Sequence, residues 1–120
     1  MNKRHLVIIL VVAAAVLGIA QYLSRSDQQS TTALAQCLVG RGAIMYGAQW
    51  CSHCQNQKNM FGDAFSLMQY VECTQDPAVC LAAGVQGYPT WIFPDGRRLE
   101  GKQSLESLAQ AGGCPMPVSQ

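Results

Sequence analysis

Charge is scarce in this chain. Only 12% of its 120 residues are charged, and 8 bases against 7 acids leave a formal net charge of +1. Beyond Gln28 the acids outnumber the bases by one. That balance gives a polyanion nothing to bind, so nucleic acid is excluded as a partner. Arg97-Arg98 reads as the solvated end of a hairpin rather than as a functional patch. Histidine is scarcer still: of the 2, His5 adjoins a long apolar run and His53 lies between two cysteines. The 6 cysteines include a single C-x-x-C. A structural zinc usually needs a second close pair of Cys or His ligands, so no metal is expected.

Charge is wholly absent from Leu6 to Leu23, where only Gln21 is clearly polar, and Lys3, Arg4 and His5 precede the run. Basic residues before an apolar segment hold the N-terminus in the cytoplasm and send the downstream chain across the membrane. The run just reaches the length needed to span a bilayer, and Tyr22 and Arg25 suit the far interface. Gly18-Ile19-Ala20 offers small residues where a peptidase could cut, so a cleaved signal peptide competes with the favoured retained anchor. Residues 1–27 are thus expected to form anchor and tether, with Ser24 to Ser30 as a polar connection, and 28–120 one small domain. A domain of that size compensates for limited burial with disulfides, which places it outside the cytoplasm.

The chemistry-bearing feature is Trp50-Cys51-Ser52-His53-Cys54. Ala43-Ile44-Met45-Tyr46 leads into it as an apolar run, and a polar stretch without breakers follows from Gln55 to Asn59. That order sets both cysteines at a strand-to-helix junction, where unpaired N–H groups and the positive end of the helix dipole stabilise a thiolate. Cys51 is therefore expected to be an exposed nucleophile of lowered pKa, with Cys54 one turn further in, shielded, closing the disulfide. His53 is expected to tune Cys51 by adding cationic charge at the same helix end, which makes the disulfide more oxidising. A purely structural disulfide is disfavoured, because a two-residue loop gives little chain-entropy stabilisation.

Thr31 to Val39 carries Leu34, Cys37 and Leu38 at helical spacing and is ended by Gly40 and Gly42. A strand is expected over 43–47, the helix from Cys51 to Phe61, and a second strand over 70–73. Asp76-Pro77 opens a short helix to Ala83. Pro94-Asp95-Gly96 joins strands 90–93 and 97–100 as a hairpin, and Ser104 caps a helix to Ala111. This order predicts an α/β domain with a mixed four-stranded sheet flanked by helices, the thioredoxin pattern, after one N-terminal transmembrane or signal helix. Tyr88-Pro89-Thr90 falls just before the third strand, where that fold carries a cis-proline facing the C-x-x-C. Trp50, Tyr88 and Pro89 are accordingly the expected substrate-binding residues. The other four cysteines, Cys37, Cys73, Cys80 and Cys114, allow three connectivities.

Met45 through Cys54, with Glu72-Cys73, Gly87-Tyr88-Pro89-Thr90-Trp91 and Gly101-Lys102-Gln103-Ser104-Leu105, resembles the thioredoxin-like domain attached to vitamin K epoxide reductase homologues. The resemblance spans about 43–112 and implies that Cys51 and Cys54 are the redox pair, Pro89 the cis-proline, and Cys73 with Cys80 a second disulfide. Cys37 and Cys114 would then pair. It also implies a recycling partner, a separate membrane quinone reductase of vitamin K epoxide reductase type, since only one apolar segment stands where the family has a membrane-embedded portion. Ser52 departs from the proline often found in such domains. Met45 stands six residues before Cys51, where thioredoxins acting as general reductants carry a buried acid.

These readings converge on a membrane-anchored, extracytoplasmic thiol-disulfide oxidoreductase that oxidises secreted protein thiols and needs no cofactor. A dedicated reductase, for instance one serving cytochrome c maturation, is the nearest rival. A copper- or zinc-binding module using Cys51, His53 and Cys54 is the non-enzymatic one.

Overall fold

The computed structural model describes residues 2–117. Its first element is a single helix of 38 residues, Lys3–Gly40 (α1). The expected tether at 24–30 and the leading helix at 31–39 are therefore parts of one continuous rod. Neither glycine nor proline interrupts the chain between Gly18 and Gly40. The polar side chains also satisfy themselves within the helix: Ser26 donates to the Leu23 carbonyl, Ser30 and Thr31 to that of Asp27, and Thr32 to that of Gln28. The apolar part of α1 is long enough to cross a membrane, a property that signal sequences share, and Leu6 through Leu23 stay exposed. Burial begins at Thr31, and Leu34, Ala35 and Leu38 form the stripe that meets the domain.

Four strands follow the expected mixed pattern: Ile44–Gly47 (β1), Gln69–Glu72 (β2), Thr90–Ile92 (β3) and Arg98–Glu100 (β4). They lie in the order β2-β1-β3-β4, with β1 parallel to β2 and antiparallel to β3, and β3 antiparallel to β4. The crossover from β1 to its parallel neighbour holds Ser52–Phe61 (α2) and a 3₁₀ helix, Gly62–Leu67. That 3₁₀ helix has no clear signal in the sequence beyond the end of α2 at Gly62.

Strand alternation splits the core. Met45 and Trp91 face α1, α2 and Leu105–Gly112 (α4), where Phe61, Leu38 and Leu108 close over them. Tyr46 points the other way, into a small cluster with Cys73 and Cys80 beside Pro77–Ala82 (α3). Cys37 is bonded to Cys114 and Cys73 to Cys80. The first bond ties α1 to the segment after α4, and the second spans the turn between β2 and α3.

Of the expected N-caps, Asp76 stands before Pro77 at the start of α3 but its side chain makes no capping bond, whereas Ser104 caps α4. Ser104 accepts from the Ser107 N–H at 3.0 Å, and Gly96 donates to the Phe93 carbonyl at 2.9 Å to close the β3–β4 hairpin. Arg98, expected to be merely solvated, instead donates to the carbonyls of Gly84 at 2.9 Å and Ala83 at 3.0 Å, satisfying the end of α3.

Candidate redox site

Cys51 occupies the N-cap of α2 in extended backbone (φ −79°, ψ 117°), so its side chain turns back over the first helical turn. Its sulfur accepts from the Cys54 N–H at 3.4 Å, and its thiol donates to the Tyr88 carbonyl at 3.6 Å. The expectation of an exposed Cys51 is corrected: the residue is only 7% exposed. The cap position tucks the sulfur under the 87–88 segment, while leaving it on the wall of an open groove of about 500 Å³. Trp50, Ser52, His53, Gln86, Gly87 and Tyr88 form the rest of that wall. Both cysteines are unbonded.

Trp50 stands 70% exposed beside the sulfur, its ring edge-on to Tyr88 with centroids 5.9 Å apart. Tyr88-Pro89 is a cis peptide, and the Pro89 carbonyl accepts from Gly101 at 2.8 Å. His53 is exposed on the groove. The structure thus brings Trp50, Cys51, His53 and Tyr88 onto one surface with Cys54 directly beneath.

Cys54 is fully buried, and burial above all pushes its thiol up to about 11. The space below it exists because position 47 has no side chain. A methyl group on Gly47 would meet Cys54 Sγ at 3.0 Å, Tyr70 Cε2 at 3.1 Å and Tyr70 Oη at 3.2 Å. Met45, two residues earlier on the same strand, leaves no carboxylate on this face.

Two residues with no role assigned from the sequence organise the surroundings. Glu72 accepts from the Gln49 N–H at 3.1 Å, from the Thr74 hydroxyl at 2.7 Å and from the Tyr70 hydroxyl at 2.7 Å. Burial works against its charge, but the donors prevail and hold the carboxyl below its ordinary range. Gln49 in turn accepts from the Gln55 side chain at 2.7 Å, so Glu72 on β2 steadies the loop that delivers Cys51. Gln57 is the second: a fully buried glutamine on α2, bonded to Gln103 and Trp91. Glu72 adjoins a cysteine in the sequence and Gln57 lies in a polar helix stretch, and neither pattern distinguishes a buried partner from a solvated residue.

A model of the thioredoxin family matches residues 40–111. The chain is 42% identical over 100 residues to the thiol-disulfide oxidoreductase LTO1 of Arabidopsis thaliana, covering 76% of this chain and 26% of that protein. It is 38% identical over 85 residues to a probable protein disulfide-isomerase A6 of Medicago sativa, covering 58% of this chain and 23% of that protein. The chain therefore spans about a quarter of the length of these relatives.

Proposed function

Because this chain belongs to the thioredoxin family, we propose that it is a thiol-disulfide oxidoreductase working through Cys51 and Cys54. The observation that carries this reading is the pair of unbonded cysteines at the start of α2, one on an open groove and one sealed beneath it. The names of the relatives agree with it.

In the oxidising cycle the pair begins as a disulfide. A substrate thiolate attacks Cys51 Sγ, the Cys51–Cys54 bond breaks, and Cys54 leaves as a thiolate that takes up a proton. The substrate's second thiolate then attacks its own sulfur in the mixed disulfide, expelling Cys51 and leaving two electrons in the dithiol. The helix N-terminus favours the charged leaving sulfur, since the Cys54 N–H already points at it. His53 in its cationic form adds to that field. Trp50, Tyr88 and the rest of the 86–88 segment receive the substrate chain along the groove, which Pro89, expected to bind substrate but fully buried, does not line.

The oxidising direction is supported by Met45, which leaves the floor of the site without the acid that general reductants use. Two further parts of the assignment rest on α1 and its basic start: the apolar half lies in a membrane, and the domain works outside the cytoplasm on secreted proteins. The resemblance to domains attached to vitamin K epoxide reductase homologues supports a quinone reductase of that type as the partner that reoxidises the dithiol.

Cys54→Ala should accumulate mixed disulfides at Cys51 in cells, and Cys51→Ala should accumulate none. A reduction potential well above that of a dedicated reductase such as thioredoxin, about −270 mV, is expected. Absence of adducts with Cys54→Ala would end the enzymatic reading, and a potential at or below that value would reverse the direction.

A further inference from the structure

We propose that Tyr70, hydrogen-bonded to Glu72 and overlaid by Lys58, is the group through which the buried Cys54 thiol gains and loses its proton. This deepens the oxidoreductase reading and rests on it.

The geometry begins at Gly47. One point beside its Cα is 3.0 Å from Cys54 Sγ and 3.2 Å from Tyr70 Oη, so sulfur and hydroxyl flank the same gap in the strand. The two atoms are therefore at most about 6 Å apart, a separation that one bridging water spans. The hydroxyl leads outward, because Tyr70 Oη donates to Glu72 Oε2 at 2.7 Å and Glu72 is only half-buried. Lys58, one helical turn after Cys54 on α2, holds its Nζ 3.8 Å from the Tyr70 ring centroid. The titratable groups facing Cys54 are thus Cys51 and Lys58 from α2 and its cap and Tyr70 from β2, with Glu72 reached through the Tyr70 hydroxyl. From β1, Met45 and Gly47 bring none, and Tyr46 lies in the cluster around Cys73 and Cys80.

The proton balance is explicit. When Cys54 resolves a mixed disulfide, its S–H proton passes by water to Tyr70 Oη as the tyrosine proton passes to Glu72, which releases it to solvent. The new bond is Cys54–Cys51, and the expelled partner leaves as a thiolate. In the oxidising direction the same steps run backwards and return the proton to Cys54. Burial, then the bond to Glu72, holds the phenol above its ordinary range, so Tyr70 stays a hydroxyl and relays rather than stores the proton. Lys58 offsets part of the charge that appears on Cys54.

The test uses the reduced full chain in detergent with Ellman's reagent, whose aromatic thiol is released twice. The first release reports attack by Cys51, the second attack by Cys54 on the mixed disulfide. At neutral pH, Tyr70→Phe should slow the second release by about tenfold or more and leave the first unchanged. Glu72→Gln should slow it too. The deficit of Tyr70→Phe should close as pH rises toward about 11, where Cys54 ionises unaided. A merely structural role for the hydroxyl would give a deficit independent of pH, and either that result or a second release at the parent's rate overturns the proposal. A parent chain that gives one release only would instead remove the oxidoreductase reading, and this proposal with it.

Discussion

The side-chain oxygen of Gln57 accepts from the backbone N–H of Gln103 at 2.7 Å, linking α2 to the loop before α4 across 46 positions of sequence. The same amide donates to the Gln103 carbonyl at 3.1 Å and accepts from the Trp91 indole at 3.4 Å. A fully buried side chain thereby behaves like a stretch of sheet, satisfying both backbone groups of Gln103.

Replacing Gln57 with leucine keeps its bulk and strands three polar groups. Because a buried unsatisfied group costs about 1–3 kcal/mol, Gln57→Leu should destabilise the domain by about 2–4 kcal/mol, partial hydration of Gln103 included. Denaturant unfolding of parent and variant measures this. Equal midpoints would mean that the bonds contribute nothing net.

The two bonded cysteine pairs should differ in worth. Cys37–Cys114 closes a separation of 77 residues and Cys73–Cys80 one of 7, which in the loop-entropy account correspond to about 4.5 and about 2.4 kcal/mol. Removing the first pair as a double alanine variant should therefore lower the unfolding midpoint more than removing the second. The reverse order would indicate that packing in the Tyr46 cluster outweighs chain entropy.

The features legible in the sequence are those that rest on local rules. The C-x-x-C after an apolar run, the Pro94-Asp95-Gly96 turn and the Ser104 cap each have short-range causes, and each marks an element of the observed mixed sheet and its helices. Long-range polar pairing is not legible. Gln57, Glu72 and Tyr70 acquire their roles only when β2 lies beside β1 and α2 covers both, and nothing in their spacing announces it. The burial of Cys51 belongs to the same class, since it depends on the Tyr88 carbonyl 37 positions away. The continuous α1 is hidden for another reason: its polar composition resembles that of a tether, although serine and threonine hydroxyls can bond back within a helix.

Titration of Cys54 should make the dithiol form sensitive to alkali. Burial raises its pKa from 9.0 to about 11, so the folded chain holds the proton more tightly than the unfolded chain does. The associated stability is fully present below pH 9.0 and lost as pH rises through about 11, by at most about 3 kcal/mol. Tyr70 adds a loss in the same direction, but in the disulfide form as well. Hence the gap between the two forms should shift against the dithiol across this window in thermal unfolding, and parallel curves would contradict it.

Trp50 offers a separate check on the groove. Its ring is 70% exposed, so Trp50→Ala should leave the unfolding temperature nearly unchanged. Loss of an exposed aromatic anchor should still cost about 1–2 kcal/mol of docking, seen as a several-fold rise in KM for a protein substrate. The reaction of Cys51 with a small aromatic disulfide should be spared. If both substrates lose equally, Trp50 acts on the sulfur itself and not on docking.

Gly47 and Gly40 form a contrasting pair that tests the floor of the site. Neither has a positive φ, so alanine is allowed by the backbone at both, and the difference lies in what the new methyl meets. At position 40 it meets nothing within 4 Å, and in a helix alanine is preferred over glycine, so Gly40→Ala should be neutral or stabilising by up to about 1 kcal/mol. At position 47 it would sit 3.0 Å from Cys54 Sγ and 3.2 Å from Tyr70 Oη. Both neighbours are held, the sulfur by α2 and the hydroxyl by Glu72, so the methyl is accommodated only by prising them apart, at about 1–3 kcal/mol. Gly47→Ala should also slow the second thiol release from Ellman's reagent while the first proceeds, because the group under strain is Cys54 and not the groove. Parent-like stability together with a parent-like second release would mean that the gap beneath Cys54 is slack, and that the approach of Tyr70 to the buried sulfur has no consequence for exchange.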